Sequence, residues 1–173
     1  MQEAKNMVCR NQHGVHFITG PNKHSAVLIW QGRVCLSECD IEEFDPQKPF
    51  TVRGYQTFYP MTRQGSNKTR LLCLVHSSIE VKERKDLMCD QVANVWLEIQ
   101  GGGKQKTLIT TVYREFSDLV KKGQLTDLEQ RERWEIFMNQ AKQASKEGFV
   151  VAIGDMNLDL ERFEDSTYYK QVK

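Results

Sequence analysis

The chain has 173 residues, 39% hydrophobic and 27% charged, with a formal net charge of +1, a balance that suits one soluble domain with a sizeable core. The near-neutral charge excludes a global basic field, so any nucleic-acid partner is held through a local site. No apolar run reaches the ~20 residues a membrane helix needs, and no basic start followed by an apolar stretch marks a secretory signal, which makes nucleus or cytoplasm the default compartment and no membrane partner the expectation.

Residues 1–24 are polar and irregular, punctuated by Gly14, Gly20 and Pro21 around one apolar stretch, Val15 to Thr19, which reads as a strand. Val34 to Ser37 is a short strand ending at Glu38. Residues 40–49, with Asp40, Glu42, Glu43, Asp45, Pro46 and Pro49, have loop composition. Thr51 to Tyr59 reads as a strand bent at Gly54, and Gly65-Ser66-Asn67 as a turn. Leu71 to Val75 is an unbroken apolar run, as expected of a strand buried on both faces.

Val92 to Ile99 alternates, with Val92, Val95, Leu97 and Ile99 set against Trp96; a Gly101-Gly102-Gly103 turn and Leu108 to Tyr113 complete a hairpin pattern. The spacing predicts a helix over 126–147. Thr126-Asp127-Leu128-Glu129 fits a capping box, in which a hydroxyl and a carboxylate satisfy free N–H groups reciprocally. Leu128, Trp134, Phe137, Met138, Ala141 and Ala144 are assigned to its apolar face, and Gly148 to the left-handed position that closes a helix. Phe149 to Ile153 is a second buried strand. Strand, helix, glycine and strand in this order indicate an α/β or α+β layered sandwich.

The five cysteines, Cys9, Cys35, Cys39, Cys73 and Cys89, contain no Cys-x2-Cys pair, and no second Cys/His pair follows the Cys35-x3-Cys39 spacing. Reduced thiols of an intracellular protein are favoured over a structural zinc site.

Three polar groups stand at ends of apolar strands. Ile153-Gly154-Asp155-Met156-Asn157 delivers an acid and an amide, which can handle a proton and donate to a phosphate oxygen. Leu36-Ser37-Glu38 delivers a carboxylate, the hard oxygen donor Mg²⁺ prefers. Thr111-Val112-Tyr113-Arg114 delivers a phenol and a guanidinium, both donors for a phosphoryl oxygen. Singly, each has an ordinary reading: an Asx turn, a solvated surface charge, and a sheet-edge tyrosine beside an exposed arginine.

In combination, the order Glu, Tyr-Arg, Gly-Asp-x-Asn resembles the endonuclease/exonuclease/phosphatase (DNase I-like) superfamily. The segments VCLSECDI, VANVWLEIQGGGKQKTLITTVYRE and ERWEIFMNQAKQASKEGFVVAIGDMNLD are similar in particular to endonuclease domains of LINE-type, non-LTR retrotransposons. The resemblance covers roughly residues 33–170. It implies a four-layered β-sandwich flanked by helices, and Mg²⁺- or Mn²⁺-dependent nicking of DNA. By the same resemblance Glu38 matches the metal-binding glutamate, Tyr113 the tyrosine near the scissile phosphate and Arg114 its substrate-binding neighbour. Asp155 matches the aspartate that handles nucleophile or leaving group, and Asn157 the asparagine that holds phosphate.

Two departures shape the expectation. None of Asn6, Asn11 and Asn22 follows a clear apolar strand, so the family's first-strand asparagine is unassigned. Residues 1–32 are expected to form an irregular segment with a degenerate first strand and helix, ahead of an endonuclease-like domain over 33–173. The family's terminal Asp-His motif also has no counterpart: His13, His16, His24 and His76 all precede Asp155, and His76 reads as a strand-end residue. The fold is therefore expected to be incomplete at its C-terminus and at its N-terminus, and, because lack of a general base costs about 10²–10⁴ in rate, activity is expected to be weak or absent. The alternatives are a non-catalytic remnant or binding scaffold of the same fold, and a phosphatase or phosphodiesterase on a non-DNA substrate.

Overall fold

The computed structural model describes residues 7–10, 15–19, 27–30, 33–41, 50–61, 69–99, 106–114 and 127–155, with side chains described within 50–61, 69–99, 106–114 and 128–154. Ten strands make two sheets among these residues. They are β1 (Met7–Arg10), β2 (Val15–Thr19), β3 (Val27–Trp30), β4 (Arg33–Ile41), β5 (Tyr55–Phe58), β6 (Thr69–His76), β7 (Val81–Glu83), β8 (Ala93–Ile99), β9 (Lys106–Tyr113) and β10 (Gly148–Asp155). One helix, α1 (Asp127–Ser145), and a 3-10 turn, Lys85–Leu87, complete the described elements.

The larger sheet runs β1-β2-β10-β9-β8-β7 and the smaller β3-β4-β6-β5. The smaller sheet is antiparallel throughout. In the larger, β10 lies parallel to both β2 and β9, and the outer pairs are antiparallel. A parallel neighbour needs a crossover connection, and α1 lies in the segment that carries the chain from β9 to β10.

The alternation of side chains along each strand divides the core in two. One face of the larger sheet, through Val95, Leu97, Ile109, Tyr113, Val151 and Ile153, packs on Leu71, Cys73 and Val75 of β6. The opposite face, through Trp96, Leu108, Val112, Val150 and Ala152, packs on Trp134, Phe137, Met138, Ala141 and Ala144 of α1. Two sheets stacked face to face with a helix outside define a mixed α/β sandwich, the expected class; the expectation of helices flanking both sides falls in part on residues outside the described ones. Leu71 to Val75 are all buried, as an unbroken apolar run requires.

Several expectations change in detail. The N-terminal stretch expected to be irregular contributes β1, β2 and β3, and β2 sits inside the larger sheet between β1 and β10. Two of the three, β1 and β3, are only four residues long, too short to show a period. Leu128 is 64% exposed, whereas Gln130 is 4% exposed. At about 100° per residue, Leu128 points roughly 240° away from Trp134, while Gln130, one turn before Trp134, shares its face. The capping box at Thr126 lies outside the described residues.

Gly148 is not a left-handed helix cap. The helix closes through Lys146 N–H to Gln143 O (3.2 Å) and Glu147 N–H to Ala144 O (2.9 Å), and Gly148 already pairs with Lys106 as the first residue of β10. A Cβ at Gly148 would collide with the Lys106 carbonyl oxygen, so close strand approach requires the glycine. Gly54, by contrast, does need a positive φ. It takes φ +83° in a turn closed by Tyr55 N–H to Val52 O at 3.0 Å, which starts β5 at Tyr55.

Candidate functional site at one end of the sandwich

Tyr113 ends β9 and Asp155 ends β10, and the two are register partners across the parallel pair. The apolar residues behind them, Ile109 and Ile153 among them, are held in the inter-sheet core, which fixes where both strands stop. Gly154 is part of the strand rather than a turn after it. Its φ of +145° favours glycine, and a Cβ there would meet the Val112 carbonyl oxygen. The glycine therefore lets β10 stay hydrogen-bonded to β9 up to Asp155 through a backbone shape that other residues resist.

Glu38 lies inside β4, which continues to Ile41, and not beyond its end. Ser37 pairs with Leu71 and Ile41 with Thr69, so the register shifts between them and Glu38, Cys39 and Asp40 fall in an irregularity of the ladder. Such bulges re-aim side chains and break regular alternation, which is why they recur beside functional sites. The side chains of Glu38 and Asp155, and the whole of Asn157, lie outside the described residues.

Arg70 ties the two sheets together at this end. It stands on β6 between Thr69 and Leu71, opposite the Glu38–Asp40 bulge. Its Nη1 donates to the Tyr113 hydroxyl oxygen at 3.3 Å. The bulge of the smaller sheet and the C-terminal ends of β9 and β10 thus share one end of the sandwich. A neighbouring strand pair, β4 and β6, carries Glu38 and Arg70 there; another, β9 and β10, carries Tyr113 and Asp155.

Arg114 is the expected substrate-binding neighbour of Tyr113. It is 9% exposed, and its guanidinium carbon lies 5.4 Å from the Trp134 ring centroid on the helix-bearing face. Tyr113, the preceding residue, belongs to the inter-sheet core. The two neighbours go to opposite faces of one sheet, and among the described residues Arg70 is a cation that meets the phenol. One sequence signal for Arg70 was present: an arginine immediately before an apolar run.

His76 ends β6 away from this site, about 20 Å along the strand from Arg70 at ~3.4 Å per residue. It is exposed. Its Nδ1 accepts the Ser78 N–H at 3.3 Å and lies 2.7 Å from the Ser78 hydroxyl, and its ring meets Tyr55 edge-on with centroids 5.4 Å apart. It is a strand-end residue in position as well as in sequence.

A second polar cluster escaped sequence reading. Arg84, 6% exposed, makes bidentate contacts to Asp86 (2.8 and 2.6 Å) and to Glu147 (2.8 and 2.9 Å), and reaches Glu98 at 3.0 Å. Lys106 meets the other Glu98 oxygen at 3.1 Å. These links join the 3-10 turn, β8, β9 and the chain just after α1. Hydrogen bonds from Arg84 hold the Asp86 and Glu147 carboxyls below their usual range. Burial pushes Glu98 up, but hydrogen bonds from Lys106 and Arg84 outweigh it and leave this carboxyl low as well. The Arg84 guanidinium is held firmly protonated, chiefly by its bonds to Asp86 and Glu147. This cluster fastens the helix to the sheet and lies at the Glu98 end of β8, away from Tyr113, which pairs with Ala93 at the other.

These features define a mixed α/β sandwich in which Arg70 of one sheet meets Tyr113 of the other. No family model matches the chain, and no curated protein matches it. Among solved structures, the endonuclease domain of TRAS1, a telomere-specific non-LTR retrotransposon, is similar at 16% identity with a TM-score of 0.44, over 64% of this chain and 44% of that one. The chain thus spans less than half the length of that domain. The fold class rests on sheet order, register and the two packed clusters. Among the described residues, no helix is long and apolar enough to cross a membrane.

Proposed function

We propose that this chain is a metal-dependent phosphodiesterase acting on DNA, a nicking endonuclease of the retrotransposon type. The observation that carries the reading is the shared end of the sandwich: the Glu38 bulge, Arg70, Tyr113 and Asp155 are linked through strand register and the Arg70–Tyr113 hydrogen bond. Carboxylates at two of these positions are the hard oxygen donors that Mg²⁺ or Mn²⁺ takes, and the donor set fits such an ion. When bound, the ion supplies Lewis-acid polarisation of a phosphoryl oxygen.

The chain's own groups do the rest. Glu38 would hold the ion. Tyr113 donates from its phenol to a phosphoryl oxygen, where a fixed donor meets charge that grows as the reaction proceeds. Asp155 takes the proton of the attacking water; the water oxygen bonds to phosphorus, the bond to the departing sugar oxygen breaks, and that oxygen is protonated from solvent. Asn157 holds the phosphate through its amide. The reading is tested by nicking of supercoiled plasmid in Mg²⁺ or Mn²⁺. The expected result is slow metal-dependent conversion to the open circle, lost in Glu38→Ala and in Asp155→Ala. Nicking that persists in both variants, or that needs no metal, contradicts it.

A further inference from the structure

Resting on the phosphodiesterase reading, we propose that Arg70 is the positioning residue for Tyr113 and that it, rather than Arg114, supplies the cationic partner at the phosphate end of the site. Three observations carry this. Arg70 donates to the Tyr113 hydroxyl oxygen at 3.3 Å from a half-buried position on β6. Its Cα stands across from the bulge that contains Glu38. Arg114, the arginine adjacent in sequence, keeps its guanidinium over the Trp134 ring on the other face of the larger sheet.

The chemistry follows from the direction of that bond. A charged N–H on the phenol oxygen fixes the ring's hydroxyl in place and polarises it, which strengthens the phenol as a donor toward an anion. The guanidinium also adds a fixed positive charge beside the developing negative charge of a phosphodiester. Arg70 reaches Tyr113 across the two sheets, so it couples the position of the phenol on β9 to the bulged strand β4 through β6. Substrate held by Tyr113 and a metal held at Glu38 are thereby kept in register.

The test uses the full chain and a fluorescein-labelled DNA duplex, with binding followed by anisotropy in Mg²⁺. Arg70→Gln and Tyr113→Phe are each expected to weaken binding about ten-fold, the scale of one hydrogen bond to a charged group. The double variant is expected to be no weaker than the weaker single, and Arg70→Lys to recover only part of the loss. Arg53→Gln, which removes a charge from an exposed turn, is expected to bind as the unaltered chain does. In protein carrying ¹³C-tyrosine, the Cζ signal that Tyr113→Phe removes is expected to shift in Arg70→Gln and stay in place in Arg53→Gln. A merely structural role for Arg70 would leave that signal to move with every destabilising variant. Independent, multiplicative losses, or unaltered binding in Arg70→Gln while Glu38→Gln abolishes the Mg²⁺ dependence, would overturn the Arg70 assignment and leave the phosphodiesterase reading standing. Absence of any Mg²⁺-dependent binding in the unaltered chain would overturn both.

Discussion

Tyr113 and Asp155 are register partners, each the last residue of its strand, on the adjacent parallel strands β9 and β10. Parallel pairing with apolar residues behind both positions means that the backbone at Tyr113 and Asp155 cannot drift apart without unpairing the centre of the larger sheet. In the phosphodiesterase reading they act on the same phosphate from neighbouring positions. Tyr113→Phe is expected to lower the metal-dependent nicking rate by roughly 10²-fold, the scale of one lost transition-state donor. Asp155→Asn is expected to lower it by about 10²–10⁴-fold, with initial rates on supercoiled plasmid as the measurement.

The glycine before Asp155 gives a second prediction. Gly154→Ala must accommodate a side chain at φ +145° and against the Val112 carbonyl oxygen. A loss of about 1–3 kcal/mol in folding free energy is expected, read by urea denaturation. The disturbance should be local. Amide exchange at Val112 and Asp155 is expected to accelerate more than exchange in β6.

The Arg84 cluster predicts both a mutation and a pH effect. Arg84→Ala leaves Glu98, 2% exposed, with Lys106 as its remaining described partner, and is expected to cost about 3 kcal/mol of stability. The half-exposed Asp86 and the third-exposed Glu147 add little to that figure because solvent screens them. Asp86, Glu98 and Glu147 all have folded-state values depressed from 3.8, 4.5 and 4.5. Depressed carboxylates contribute stability that is full above their unfolded values and is lost as pH falls through the folded ones. Stability is therefore expected to decline as pH drops below about 4.5. In Arg84→Ala that decline should be shallower, as measured by denaturation at stepped pH.

Helix packing separates two apolar residues of α1. Phe137, 1% exposed, packs between Trp134 and Trp96, with ring centroids 5.3 and 6.4 Å away. Phe137→Ala is expected to cost about 3–5 kcal/mol. Leu128→Ser, at a 64% exposed position, is expected to stay within about 0.5 kcal/mol of the parent. Chemical denaturation of both variants checks the phase of the helix directly.

What the sequence made legible follows the range of the interactions. The β6 run from Leu71 to Val75, the β8–β9 hairpin and the body of α1 depend on local apolar patterns, and all three stand where those patterns placed them. Strands β1 and β3 carry too few residues to show a period, and only pairing with longer neighbours makes them strands. Gly148 has the composition of a helix cap, but its role is decided by Lys106 on another strand. The site shows the same division. Tyr113 and Asp155 are visible because apolar strands end at them. Arg70 shows only as an arginine before an apolar run, because its partner Tyr113 is 43 positions away, and Arg84 is hidden because Glu147 is 63 positions away. Arg114 sits beside Tyr113 in sequence, yet its contact with Trp134 takes it to the other face.

A single site assembled from both sheets is tested most directly by Mn²⁺ binding. Titration of the full chain with Mn²⁺, with free ion followed by electron paramagnetic resonance, is expected to reveal a single saturable site. Glu38→Gln is expected to weaken it at least about ten-fold, as loss of a charged oxygen ligand should, and Asp155→Asn to weaken it measurably. A chain that takes up no Mn²⁺, or one whose Mn²⁺ binding is the same in Glu38→Gln, would contradict the account.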